Sequence, residues 1–140
     1  MKAKETKMQT TVTRKTILLS LLLLVTSSAW AEWVKVASST DGYTVYIDPA
    51  TIRKDGNLRK VWEISERKQP KQDGEMSRLV KFEYDCKTER RNILSASTHS
   101  EPMGKGKTIW SAPSSALATD WREIPPGTVA WAVLNEVCAQ

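Results

Sequence analysis

The stretch SRLVKFEYDC at residues 77–86 decides the fold of this 140-residue chain. From Val80 to Cys86 every second residue is apolar, and the three residues between them are charged. Side chains two positions apart point to the same face of a β-strand. The pattern therefore predicts a strand with one apolar and one solvated face, and it places Cys86 on the apolar face.

The last part of the chain changes to the periodicity of a helix. Thr128 follows two prolines and a glycine, and it is a candidate N-cap. The residues that follow form one apolar stripe at helical spacing, which consists of Ala130, Val133, Leu134, Val137 and Cys138. Because both cysteines fall on apolar faces, a bond between them would hold the helix across the inner face of the sheet.

Short β-prone runs lie on both sides of this strand, separated by turn signals rich in Gly, Pro, Asp and Asn. The predicted runs are residues 33–37, 43–48, 58–66, 90–99 and 107–110. Asp48-Pro49 predicts one helical turn through Ile52, because proline favours the first helical position. No repeat or linker divides the chain, so one domain is expected.

Residues 1–31 have the order of a secretory signal peptide. A basic segment precedes an apolar run at residues 17–25, and the segment ends in Ala29-Trp30-Ala31, an A-x-A cleavage pattern. Nine helical residues would span about 14 Å, half of a hydrocarbon layer, which argues against the alternative of a membrane anchor. We expect cleavage after Ala31 and a mature domain at residues 32–140 with no membrane span. Since no Cys stands at the end of the apolar run, no lipid anchor is expected.

Most of the net positive charge of the chain lies in residues 1–31. The chain has 21 Lys+Arg and 16 Asp+Glu, a formal net charge of +5. Residues 1–31 hold five of the basic residues and one of the acidic ones, so residues 32–140 carry a net +1. A nearly neutral, exported domain is not expected to bind nucleic acid. In an oxidising compartment Cys86 and Cys138 are expected to form a disulfide, the alternative being two buried thiols.

Residues that could catalyse a reaction are few. His99 is the only histidine, and it lies at the end of a predicted strand without the spacing of a hydrolase triad, which favours an exposed strand-end residue. Glu83 and Asp85 share a strand face with Lys81, which is typical of a solvated face rather than of a glycosidase carboxylate pair. No His, Cys or carboxylate spacing matches a metal site. We expect no catalytic residue, no metal, no cofactor and no enzymatic activity.

Two groups of basic residues are candidates for binding a partner. Lys87, Arg90 and Arg91 cluster at the hairpin after residue 86, and Lys105 and Lys107 lie in the next connection. If these loops meet at one end of the sheet, they form a basic patch suited to acidic glycans or acidic protein surfaces. The alternative is a set of solvated charges diluted by neighbouring glutamates.

Five tryptophans lie within residues 32–140. Trp62 and Trp131 have positions compatible with a core. Trp33, Trp110 and Trp121 are candidates either for exposed contacts or for covering the edge of a small core.

In their order and spacing, these features resemble the surface-adhesin protein E family of Gram-negative bacteria. The matching segments are YIDPATIR at residues 46–53, VWE at 61–63, FEYDC at 82–86, WREIPPGT at 121–128 and VC at 137–138. The resemblance covers essentially all of residues 32–140.

The resemblance implies an α+β fold: a curved antiparallel sheet of about five to six strands, with the C-terminal helix packed on its concave face by one disulfide. It also implies a protein partner, namely a host extracellular-matrix or serum protein such as laminin, vitronectin or plasminogen, and a possible homodimer. The expected location is the periplasm, the cell surface or the medium. The alternative function is a periplasmic accessory protein that binds a bacterial envelope partner.

Overall fold

The computed structural model describes residues 32–117 and 120–140, so the predicted signal peptide at residues 1–31 lies outside the described residues. The strands within the described ranges are β1 (Val34–Ser38), β2 (Tyr43–Ile47), β3 (Arg53–Asp55), β4 (Leu58–Arg67), β5 (Ser77–Asp85), β6 (Arg90–His99), β7 (Thr108–Ala112) and β8 (Arg122–Glu123). One α-helix, α1 (Val129–Ala139), follows them. No helix in this part of the chain is long and apolar enough to cross a membrane.

All eight described strands join one open antiparallel sheet, with the long strands β4, β5 and β6 as a central meander. β2 and then β1 extend the sheet beyond β4, and β7 extends it beyond β6. β3 pairs with the end of β4 that β2 leaves free. In the same way, β8 pairs with the end of β6 that β7 leaves free. The prediction of five to six strands therefore misses these two. They have three and two residues, all exposed, and so carry no alternation of apolar and polar residues.

The helical turn predicted after Asp48 is a 3-10 turn, Pro49–Thr51, at the corner between β2 and β3. The Asp48 carboxylate accepts a hydrogen bond from the Ala50 amide at 3.0 Å and so caps the turn. The Thr51 hydroxyl donates to the Asp48 carbonyl at 2.7 Å and accepts from the Trp62 amide at 3.1 Å. The corner thus supplies a hydrogen-bond partner for the backbone of β4 at Trp62, a position that neither β2 nor β3 pairs with.

The core lies between α1 and the concave face of the sheet. The sheet contributes Val45, Ile47, Val61, Val80, Phe82 and Tyr84, and the helix contributes Val133, Leu134 and Val137. The alternation predicted for β5 and the stripe predicted for α1 are both confirmed. Thr128 is the N-cap, as predicted, because its hydroxyl accepts a hydrogen bond from the Trp131 amide at 3.2 Å.

The predicted disulfide between Cys86 and Cys138 is confirmed. Cys86 directly follows β5 and Cys138 lies in the last turn of α1, with their Cα atoms 5.8 Å apart and 52 positions between them in sequence. The bond therefore fixes the C-terminal end of the helix to the end of the central strand. In the chain-entropy model, closing a loop of this length stabilises the fold by about 4 kcal/mol.

One of the two tryptophans predicted to suit the core is placed elsewhere. Trp131 packs against the core from α1, as predicted. Trp62 lies on the convex face of the sheet, where the ammonium group of Lys81 is 5.8 Å from the centre of its ring. Val61 and Glu63 point toward the helix, and Trp62 between them must point away from it.

Candidate binding surfaces

The structure separates the two groups of basic residues, which would form one patch only if their loops met at one end of the sheet. Lys87 and Arg90 lie at the β5–β6 hairpin, whereas Lys105 and Lys107 lie in the connection from β6 to β7. These connections are at opposite ends of β6, which is about 30 Å long at roughly 3.3 Å per residue. The condition for a single basic patch, that the two loops meet, is therefore not fulfilled.

The hairpin group is itself divided between the two faces of the sheet. Neighbouring positions of a strand point to opposite faces. Arg91 lies on the concave side, with its guanidinium 4.6 Å from the centre of the Phe82 ring. Arg90 lies 5.9 Å from the ring centre of Trp121 and donates to the Thr88 hydroxyl at 3.0 Å. Arg90 and Arg91 therefore cannot contact a partner through one surface.

The second basic group borders an exposed aromatic side chain. Lys105 and Lys107 are exposed and lie just before β7, the last strand on one side of the sheet. Trp110 in β7 is 49% exposed, and it is one of two large apolar side chains described as exposed. The other is Val34, at 40%, in the strand at the opposite edge. Lys105, Lys107 and Trp110 are called the β7 surface below.

A cavity of about 260 Å³ lies between α1 and the concave face, and nothing in the sequence analysis predicted it. The apolar part of its wall is formed by Val45, Val80, Phe82, Val129, Ala130 and Val133. The charged side chains that line it are Glu63, Arg67, Glu75, Arg78 and Arg91. The N-terminal half of the helix thus covers a space that combines an apolar wall with several charges.

Glu63 is a buried carboxyl group in this cavity, only 6% exposed. Its Oε1 accepts a hydrogen bond from the phenol of Tyr84, which is fully buried. Burial raises the pKa of Glu63 to about 7, although the bond from Tyr84 and the charge of Arg91 act in the opposite direction. Burial, together with the charge of Glu63, also raises the pKa of Tyr84. Glu63 therefore changes its charge close to neutral pH.

Glu75 is the second buried carboxylate, 4% exposed, and it is surrounded by cations. Lys71 and Arg78 approach it at 3.1 Å and Arg67 at 3.8 Å. The connection between β4 and β5 thus folds back onto the strands instead of remaining a solvated loop. Periodicity gives no signal for such a residue in a polar connection. For Glu63 a signal existed, because it shares the face of Val61 in β4.

The residues considered for catalysis have structural roles. His99 is partly buried rather than exposed, because it is paired with β5 on one side and with β7 on the other. Its Nε2 lies 2.9 Å from the Ser97 hydroxyl. Glu83 forms an ion pair with Lys60 at 3.5 Å. Asp85 accepts hydrogen bonds in the hairpin turn, and the bond from Thr88 lowers its pKa. Within residues 32–117 and 120–140, no group of three or more His, Cys or acidic residues could hold a metal ion.

Comparisons with known proteins agree with this architecture. The family model described as surface-adhesin protein E matches residues 33–139. A structure of Haemophilus influenzae protein E in crystal form II is similar at a TM-score of 0.58 and 13% identity, covering 79% of this chain and 89% of that chain. Another structure of Haemophilus influenzae protein E has a TM-score of 0.59 at 13% identity and covers 79% and 86%. At this identity the likeness concerns the fold alone. A search of curated protein sequences finds no significant match.

Proposed function

The chain belongs to the surface-adhesin protein E family, and from that premise we propose that it is an exported, non-enzymatic domain that binds a protein partner through the β7 surface. The observation that carries this proposal is the exposure of Trp110 on an edge strand, next to Lys105 and Lys107. A tryptophan that is half exposed in the free protein gains much apolar burial when a partner covers it. Tryptophan is also among the residues that dominate the energy of protein interfaces.

The proposed partner is a host extracellular-matrix or serum protein, with laminin and vitronectin as the first candidates. The net charge of +1 on residues 32–140 supports recognition by specific contacts rather than by bulk electrostatic attraction. Lys105 and Lys107 would form the polar rim around Trp110 and select an acidic region of the partner. The hairpin residues Lys87 and Arg90 are at the far end of β6 and lie outside the proposed contact.

Binding to immobilised laminin and vitronectin tests the proposal directly. We expect saturable binding by the oxidised protein, and a loss of about thirtyfold or more in Trp110→Ala, the usual cost of a truncated hot-spot residue. Lys107→Gln should cause a smaller loss that disappears at high salt. Lys87→Gln is the matched control at the other end of the sheet. Absence of saturable binding to both proteins, or full binding by Trp110→Ala, would refute the proposal.

Export is the second part of the proposal, and it rests on the signal-peptide pattern of residues 1–31. N-terminal sequencing of the protein recovered from the cell envelope should begin at Glu32. Protease added to intact cells should degrade a surface-exposed protein. Protection from that protease would instead favour the alternative, a periplasmic accessory protein with a bacterial envelope partner. Light scattering of the purified protein tests the proposed homodimer.

A further inference from the structure

We infer that the cavity between α1 and the concave face binds a small organic carboxylate with a short apolar body. This site is separate from the β7 surface and goes beyond the proposed protein-binding function. Trp110, Lys105 and Lys107 are not among the residues that line the cavity. The two sites can therefore be tested independently.

The size and the wall of the cavity select the apolar body of the ligand. The volume of about 260 Å³ is just below the usual range of ligand pockets, which start at about 300 Å³. Val45 and Val80 line it from the sheet and Val133 from the helix, and all three are buried. A ligand of several carbon atoms would gain affinity by covering these side chains, whereas an inorganic anion would leave the apolar wall in contact with water.

Arg91 supplies the group that would bind the carboxylate. Its guanidinium lies against the face of the Phe82 ring, which orients the planar group. Within the described residues Arg91 forms no ion pair, although it lies close enough to Tyr84 and Glu63 to lower the pKa of both, while Arg67 and Arg78 are both engaged by Glu75. A guanidinium oriented in this way can donate two parallel hydrogen bonds to one carboxylate. Arg91 is thus the cation of the lining that no carboxylate pairs with directly, so it is the one that a ligand carboxylate would engage.

The charge of Glu63 would control the affinity for this ligand. The charged and titratable groups around Glu63 come from four strands and one connection, and they are Tyr43, Arg67, Glu75, Arg78, Tyr84 and Arg91. From the helix, only apolar residues line the cavity. While Glu63 is protonated, the lining has three cations and one anion. Once Glu63 ionises, it repels a bound carboxylate and offsets the charge of Arg91. Binding should therefore weaken as the pH rises through neutrality.

The first test is an NMR titration of the oxidised, ¹⁵N-labelled protein with hexanoate, hexanol and inorganic phosphate. We expect hexanoate to shift the amide signals of the residues that line the cavity in a saturable way. Hexanol lacks the carboxylate and phosphate lacks the apolar body, so each should bind at least about tenfold more weakly. Equal binding of phosphate would mean that only charge is recognised, and equal binding of hexanol would mean that Arg91 is not used. Either result, or the absence of saturable shifts, overturns the inference.

The second test uses variants of the cavity. Arg91→Gln should weaken hexanoate binding by about ten- to a hundredfold, the range for a charge-assisted pair, and Arg91→Lys should lose less. Lys105→Gln, which removes a positive charge outside the cavity, is the matched control. Glu63→Gln should remove the roughly tenfold weakening expected between about pH 6 and about pH 8. Unchanged binding by a folded Arg91→Gln protein would overturn the inference. Trp110→Ala should leave hexanoate binding intact. A loss of protein binding at the β7 surface can therefore be distinguished from a loss of hexanoate binding in the cavity.

Discussion

Replacing Glu63 with glutamine should remove a large part of the pH dependence of stability. Glu63 is 6% exposed and hydrogen-bonded to Tyr84. Glutamine has nearly the same shape and can still accept the hydrogen bond from the phenol, but it cannot ionise. The variant therefore isolates the cost of placing a carboxylate charge in this cavity from the contribution of packing.

The magnitude follows from the pKa of Glu63, which rises from 4.5 to about 7 on folding. One pKa unit corresponds to about 1.4 kcal/mol, so ionising Glu63 costs the folded state about 3 kcal/mol. The folded state binds this proton more tightly than the unfolded state does. Its stabilising contribution is therefore fully present below pH 4.5 and is lost as the pH rises through about 7. Relative to Glu63→Gln, the natural protein should become less stable over that window by about 3 kcal/mol.

Urea unfolding followed by tryptophan fluorescence, from about pH 4 to about pH 8, gives the free energy of unfolding at each pH. The quantity to plot is the difference between Glu63→Gln and the natural protein, because other titrating groups cancel in it. Glu136→Gln, on the exposed side of α1, controls for the loss of one negative charge. A difference that stays constant over the whole pH range would refute the reasoning.

Three further predictions concern stability, each measured by urea unfolding at one pH. Replacing Cys86 and Cys138 together by serine should lower the free energy of unfolding by about 4 kcal/mol, because the loop that they close spans 52 positions; a loss below about 1 kcal/mol would contradict the chain-entropy account. Thr128→Ala should cost about 1 kcal/mol through loss of the helix N-cap, and Thr128→Ser should restore it. Gly106→Ala should cost more than about 1 kcal/mol, since φ is +74° and the added Cβ would lie 2.6 Å from a serine hydroxyl. Gly42→Ala, with φ +86° and open space around it, is the matched control and should cost less.

The sequence predicted the parts of the fold that bury a continuous apolar face. The alternation in β5 and the stripe in α1 each repeat over several positions, so that one residue out of pattern does not hide the periodicity. The disulfide was predicted from a pair of cysteines in a chain expected to be exported, and the two apolar faces indicated which elements it would join. β3 and β8 were missed because strands of two or three exposed residues exist only through pairing with longer neighbours.

The candidate binding surfaces were predicted less well than the fold, for two different reasons. The single basic patch depended on two loops meeting, and the topology excludes this because the connections that precede and follow one strand lie at its opposite ends. The cavity was hidden for a physical reason: Glu63 and Glu75 are buried against the usual preference of carboxylates for solvent. Their burial is tolerable only because of neighbours in three dimensions. Tyr84 donates a hydrogen bond to Glu63, and a group of cations surrounds Glu75.

The division of the outer positions of the sheet among short strands has a consequence for self-association. A long, flat strand at the edge of a sheet is a template for pairing with other chains and a common origin of aggregation. Here β1 and β7 have only five residues each, and β3 and β8 are shorter still. The register of β1 is also interrupted by an irregularity between Lys35 and Ala37. A domain of this design offers other molecules its side chains but little unpaired backbone, which protects it from fibrillar assembly at high local concentration.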